Sequence, residues 1–383
     1  MQPLTFRGAA AFKTLVRGGF LFGIVFLFLG CSKPPQSVWG DVLLLGEAHQ
    51  SSPPALWFED GHMLAAWIGD DERGVHHDVR QITGSQMGNS VTLPLPPLHP
   101  YAQLLLPGDD EDHHLLWLDG NDLGETRLYS ALLTGELTIE RGPTEISSAH
   151  TYSYAAAPGT NGKLWAAWTE GSAAFPSLYL GSIDASGRPQ SPTLVAGNAA
   201  HPAMAYAADR TIYLFWISES TLVRARVIDG AILDTMALTS TVALGDGDRL
   251  HMLRAGIDQT VGYVFWNITR ADGTNETWMA SGRLDARIWQ PPRPLTDVEG
   301  TPFTWASPHI LGADTLFAAG QFGDDIALFG FKNGSLRSIQ IVVEAQSLLA
   351  PPALLLDDQN RLALAWSQPQ PNLPAQLLLT TMP

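Results

Sequence analysis

The sequence predicts an all-β fold: a seven-bladed β-propeller of four-stranded antiparallel blades, its ring closed by an N-terminal outer strand on the last blade. Three observations carry this expectation. First, an apolar segment recurs seven times, as "MLAAWIGD", "HLLWLDGN", "LWAAWTEG", "IYLFWISE", "GYVFWNIT", "LFAAGQFG" and "LALAWSQP". Trp67, Trp117, Trp168, Trp216, Trp266 and Trp366 mark six registers and Gly320 the sixth in order, at steps of 50, 51, 48, 50, 54 and 46 residues. Second, each segment follows a short apolar stretch and a polar turn and precedes a polar loop, a strand, a tight turn and a further strand. Four short strands in a unit repeated at this period define a propeller. Third, the last unit, ending "AQLLLTTMP", lacks a fourth strand, while a spare strand-like segment stands ahead of the first unit.

At the N-terminus, Arg7, Lys13 and Arg17 occur without any acidic residue and are followed by the apolar run Phe20 to Leu29. This is the basic and apolar pattern of a signal peptide. A bilayer span takes about 20 apolar residues, so the run is too short to be one. Cys31 is the only cysteine of 383 residues, and a lone thiol cannot build an intramolecular disulfide framework. Phe28-Leu29-Gly30-Cys31 resembles the bacterial lipobox. That resemblance implies cleavage before Cys31 and acylation of Cys31 as the new first residue, with two or more chains for stable anchoring, since one binds only marginally. Ser32, rather than the aspartate that retains lipoproteins in an inner membrane, implies the outer membrane in a diderm organism. The expected organisation is a signal peptide over 1–30, the lipidated cysteine and a stiff spacer over 31–37, and the propeller over 38–383.

The segment "SVWGDVLLLGEA" begins like "RIWQPPRPLTDV" of the fifth unit, Val38-Trp39 matching Ile288-Trp289. Residues 38 to 46 are therefore expected to supply the missing outer strand, since an open last blade would expose an unpaired strand edge. An outer strand starts on the face that carries the third-to-fourth strand turns. The spacer reaches at most about 25 Å, so that face is expected near the membrane and the opposite face outward. The marker strands are apolar at nearly every position, as suits strands buried on both sides. Asp229-Gly230 and Asn333-Gly334 are strong hairpin signals, and Thr134-Gly135 and Ser186-Gly187 fall at the same place in other units.

No Trp-Asp dipeptide marks the repeat, and the paired glycines of kelch units are absent from the mature chain. In repeat shape the chain resembles the sialidase-like propellers, whose Asp-box (Ser-x-Asp-x-Gly-x-x-Trp) sits between the third and fourth strands. The corresponding turns here are the degenerate "SIDASGRP" (Ser182 to Pro189) and "RLDARIW" (Arg283 to Trp289). The resemblance implies that ligands bind on the outward face. It does not extend to sialidase activity, because the arginine triad of those enzymes cannot be assembled from the arginines present.

Loss of the signal peptide takes the net charge from −16 to −19. Nucleic acids and anionic lipid surfaces are excluded as partners by this charge and by the lack of Lys/Arg clusters. On the outward face, His49, His99, His150, His201 and His251 recur at steps of 50, 51, 51 and 50 residues, at the entry to the first strand of five units, with Thr301-Pro302 and Ala350-Pro351 in their place in the last two. Each either satisfies backbone at the start of its strand, copied by duplication, or contributes to a polar ring for a ligand. All five cannot converge on one metal ion, because packed sheets lie about 10 Å apart and zinc ligands approach to about 2 Å, which leaves two neighbours as the alternative. The loops after the marker strands are acidic, notably "DGNDLGE" with Asp119, Asp122 and Glu125. Two such carboxylates would serve a glycosidase if about 5–5.5 or 6.5–9.5 Å apart. "GDDEDHH" (Gly108 to His114) lacks the alternating ligands of a calcium loop and reads as a polar turn. No cofactor is implied.

The expected function is therefore a lipid-anchored, monomeric, non-enzymatic propeller presenting a protein- or glycan-binding face in the cell envelope. The alternative is a glycan-acting hydrolase or lyase using outward-loop carboxylates. Substitution Cys31→Ser is expected to abolish acylation and release the processed chain from membranes. Fractionation of cells that express it tests this, and a fully membrane-bound variant contradicts the lipoprotein reading.

Overall fold

Seven four-stranded antiparallel sheets follow one another along the chain, one per predicted unit. The computed structural model describes residues 39–382 apart from positions 50–51, 60, 85, 96–97, 122–123, 208, 210, 243, 298, 312–314, 345, 349 and 358–360. The signal segment, Cys31 and the spacer lie outside the described residues. The inner strands of blades 1 to 7 are Ala55–Glu59, His99–Pro107, Thr151–Pro158, Ala199–Tyr206, Arg249–Asp258, Phe303–Leu311 and Ala353–Leu356. Each touches the inner strand of the next blade, and the seventh touches the first, so the ring is closed.

The predicted marker strands are the second strands, for example Val261–Thr269 and Leu362–Gln370. Their tryptophans are all buried, from 0 % exposed at Trp366 to 3 % at Trp216. They pack between blades: Trp117 of blade 2 lies in one cluster with Ala55, Leu64 and Ala66 of blade 1, and Trp266 of blade 5 with Ala203 and Phe215 of blade 4. The core is thus a set of inter-blade layers. Truncating one such indole costs about 3–5 kcal/mol. Gly320 replaces tryptophan because its surroundings are already filled by backbone. A Cβ there would sit 2.8 Å from the Ala306 Cα and 2.9 Å from the Thr304 carbonyl oxygen.

Two of the four predicted glycine turns are two-residue hairpins. Asp229 and Gly230 (φ 48° and 81°) and Asn333 and Gly334 (φ 52° and 77°) both place two residues at positive φ, as a type I′ turn requires. The turns at Thr134 and Ser186 are longer, closed by Leu137 N–H to the Thr134 oxygen and by Gly187 N–H to the Asp184 oxygen. Asp184 also accepts the N–H groups of Ser186 (3.0 Å) and Arg188 (2.9 Å). Asp285, in the second degenerate turn, pairs instead with Arg283 at 2.8 Å.

The closing strand is Leu43–Ala48, antiparallel to Leu373–Thr381 of blade 7. It lies slightly downstream of the expected 38–46, and its register shifts between Leu44 and Gly46. Pairing nonetheless extends back to Gly40, whose N–H donates to the Thr381 oxygen at 2.8 Å. Trp39 packs with Trp366 and Leu378 as Trp289 packs with Phe215 and Trp266 in the fifth blade. A chain beginning at Gly46 is expected to unfold at lower temperature than one beginning at Ser37, or to aggregate. The single change Leu45→Ala is expected to cost about 2–5 kcal/mol. Thermal unfolding tests both, and equal midpoints would remove the closing role.

Candidate ligand-binding site at the tunnel mouth

The inner strands of blades 2 to 6 share a local device. Just inside each, the pairing register jumps so that the inner strand carries one more residue than its partner, as between Tyr101 and Leu104 or Leu250 and Leu253. Bulges of this kind bend a strand and re-aim its side chains. Three equivalent bulge residues, Ala102, His201 and Trp305, adopt left-handed φ of 53°, 54° and 56°. This conformation costs a non-glycine residue about 1–2 kcal/mol, and strain of this sort concentrates at functional sites.

The bulges shape the mouth of the central tunnel. A cavity of 260 Å³ lies there, with every blade contributing to its wall. Tyr101, Tyr152 and Trp305 supply aromatic faces, and Asn267 and His251 supply polar groups. Tyr152 is held as a neutral phenol, burial pushing it up to about 12. The Asn267 side-chain oxygen accepts from the Thr277 hydroxyl at 2.6 Å, which fixes its amide. His251 Nε2 lies 2.6 Å from the Thr269 hydroxyl, whose own proton goes to Asn275 at 2.6 Å. The Thr269 oxygen must therefore accept from His251 Nε2–H, which leaves Nδ1 as an acceptor. The His251 ring meets Trp305 edge-on at 5.1 Å. Desolvation against the cavity wall, helped by the Arg249 cation, holds it below the usual imidazole range.

The five histidines do not occupy one structural position. His99 pairs across from Gly120 and the His150 oxygen accepts from Gly171 N–H, so these two share a register at the outer end of the inner strand. His201 and His251 fall two to four residues further along, inside the bulges. His49 directly follows the closing strand and donates its N–H to the Ile68 oxygen at 2.8 Å. His150 Nδ1 accepts the Thr126 N–H at 3.0 Å. Of the five, His251 lines the cavity, and His201 stacks edge-on against Tyr152 at 5.7 Å behind it. Tyr101 and Tyr152, unremarked in the sequence, each follow a histidine by two residues ("HPY", "HTY"). That shared pattern was the available signal. Trp305 breaks the repeat and had none.

The acidic residues lie elsewhere. Asp119 and Glu125 line a separate cleft of 410 Å³ on blade 2, with Glu145 and Arg127. Asp122 lies outside the described residues. The Asp119 carboxylate accepts the N–H groups of His99 (2.7 Å) and Leu98 (3.2 Å), and Arg127 stands 3.5 Å from Glu125 and 3.4 Å from Glu145. Glu170 and Gln321 cap the next loops in the same way, at Ser148 N–H (2.8 Å) and Leu348 N–H (3.0 Å). These groups hold the loops that form the mouth. Among the described residues no three His, Cys, Asp or Glu side chains are arranged to hold a metal ion.

No known protein family matches the chain, and no curated protein matches it. Solved structures do. The polysaccharide lyase Uly1 superposes with a TM-score of 0.59 at 12 % identity, covering 88 % of this chain and 91 % of its own. A PL25 ulvan lyase gives 0.57 at 8 % identity, covering 88 % and 95 %. A puromycin-hydrolysing peptidase of Mycobacterium tuberculosis gives 0.51 at 14 % identity, covering 88 % of this chain and 54 % of that one. At such identities the likeness is one of fold, and the class of protein defined is the seven-bladed β-propeller.

Burial pushes His201 down to about 4. The unfolded chain, with an ordinary imidazole, takes up the proton first. Stability from this group is therefore complete above about pH 6.5 and is lost as the pH falls toward 4, by up to about 1.4 kcal/mol per pH unit. Urea unfolding at pH 7.5 and 5.0 is expected to show a smaller difference for His201→Gln than for the parent. An unchanged difference would contradict the assignment.

Proposed function

We propose that this protein is a lipid-anchored cell-envelope propeller that binds a glycan at the tunnel mouth without transforming it. The observation that carries the reading is the wall of the mouth cavity: the four aromatic rings of Tyr101, Tyr152, Tyr154 and Trp305, a fixed amide and a neutral imidazole, with no carboxylate among the described lining residues. Apolar faces interrupted by a few fixed polar groups suit a ring that is apolar on its faces and hydroxylated at its edge. The carboxylate pair that a glycosidase requires has no counterpart among the described residues of that wall; Asp119 caps backbone N–H groups and Glu125 faces Arg127. The lipobox at Cys31 supports anchoring in the envelope, and the degenerate Asp-box turns support kinship with sialidase-like propellers.

A second reading, a polysaccharide lyase, is favoured by one feature. Elimination needs a base and an acid rather than two carboxylates, and His251, with Nδ1 free to accept, shares the cavity with the Tyr152 phenol. The fold's likeness to two polysaccharide lyases is in keeping with it. Both readings are tested with immobilised polysaccharides. Trp305→Ala and Tyr152→Ala are each expected to weaken binding about tenfold or more, the equivalent of about 1.4 kcal/mol, with little change in thermal midpoint. Prolonged incubation is expected to yield no chain cleavage. Appearance of unsaturated products, lost in His251→Gln, would establish the lyase instead, and unaltered binding in both aromatic variants would overturn the mouth as the site.

A further inference from the structure

Next to the mouth cavity lies a second cavity of 280 Å³, walled by the inner strands and sharing Pro53, Leu253 and Pro351 with the first. Its wall is mostly apolar, Arg254 is the one charged residue among the described lining residues, and no carboxylate is among those described in either wall. In a chain with 38 acidic residues against 22 basic ones, a tunnel with a cation and no acid is a marked local reversal.

Arg254 also departs from the repeat. It pairs with Phe265, the residue before the marker Trp266. The residues at the same register in the other blades are Ala55, Leu104, Ala155, Ala203, Ser307 and Ala353. Duplication alone accounts for a small or apolar side chain here. Among the described residues none forms a hydrogen bond or ion pair with the guanidinium. Its charge is felt instead by Tyr154 of blade 3. Burial pulls Arg254 below the ordinary arginine value, yet a guanidinium keeps its charge at neutral pH. Half-buried on the tunnel wall, a cation that has lost part of its hydration favours an anionic partner. A further donor faces the same lack: the indole N–H of Trp57, another residue of this wall, is buried without an acceptor.

We propose that the tunnel is an anion site in which Arg254 binds a carboxylate. The guanidinium fork matches two carboxylate oxygens in parallel hydrogen bonds, and one fixed cation neutralises one negative charge, whereas a dianion would leave a charge buried. The carboxylate comes either from a small free acid or from an acidic sugar whose ring sits in the mouth. The second source rests on the glycan reading above; the first does not.

The test is the thermal midpoint of the purified full chain in detergent at pH 7, with sodium acetate or sodium glucuronate replacing sodium chloride at constant ionic strength. The parent is expected to gain about 2–4 °C at saturation. Arg254→Met, which keeps length and removes charge, is expected to show no gain. Arg254→Lys, which keeps charge and loses the fork, is expected to need about tenfold more ligand for the same gain. A glucuronate gain that exceeds the acetate gain and shrinks in Trp305→Ala identifies the sugar-borne source. Equal gains, both indifferent to Trp305, identify a free acid, which upholds the anion site while the glycan reading fails. No gain in the parent with either anion, or the same gain in Arg254→Met, overturns the proposal.

Discussion

The marker strand, buried on both sides between neighbouring sheets, is the constraint from which the rest of the molecule follows. A single four-stranded blade has two apolar faces and cannot cover either alone. Each blade therefore needs a neighbour on both sides, and a row of such blades has exposed ends until it closes on itself. Closure places seven inner strands around a common axis, and that arrangement creates the tunnel, its mouth and the loops above it. Everything chemically distinctive in the protein lies on surfaces that exist only because the blades must cover one another.

The same constraint explains what was legible in the sequence. A tryptophan such as Trp117 or Trp266 fills the gap between sheets in six of the seven repeats, so its spacing survives while the rest of the unit drifts, and blade number and strand order could be read from it. The closing strand was legible because Trp39 repeats the role of Trp289. Gly320, which breaks the pattern, does so because backbone already occupies the space where its side chain would stand.

The site was less legible, and for a definite reason. Regular sequence steps between histidines suggested one ring, but the start of each inner strand is where bulges insert a residue and where the length of the loop between blades varies. A constant interval in sequence then maps to different registers: His99 and His150 lie at the outer end of their strands, His201 and His251 inside the bulges. The acidic loops misled in a different way, because a carboxylate such as Asp119 or Glu170 that caps backbone N–H groups has the same sequence signature as one awaiting a ligand. Arg254 carried no signal at all by composition. Its meaning depends on which residues occupy its register in six other blades, and that register is known only once the strands are paired.

The manner of closure has a consequence for the order of folding events. The contact between the first strand and the last joins residues 340 positions apart, as the Thr380 hydroxyl bond to the Gly40 oxygen illustrates. Blades 1 to 6 consist of local hairpins and can assemble as the chain appears, but the seventh is a composite of both ends. A chain delivered from its N-terminus must keep its leading strand unpaired until the final residues arrive. The closing strand acts as a completion signal: the seventh blade is whole only once Leu373–Thr381 has joined Leu43–Ala48.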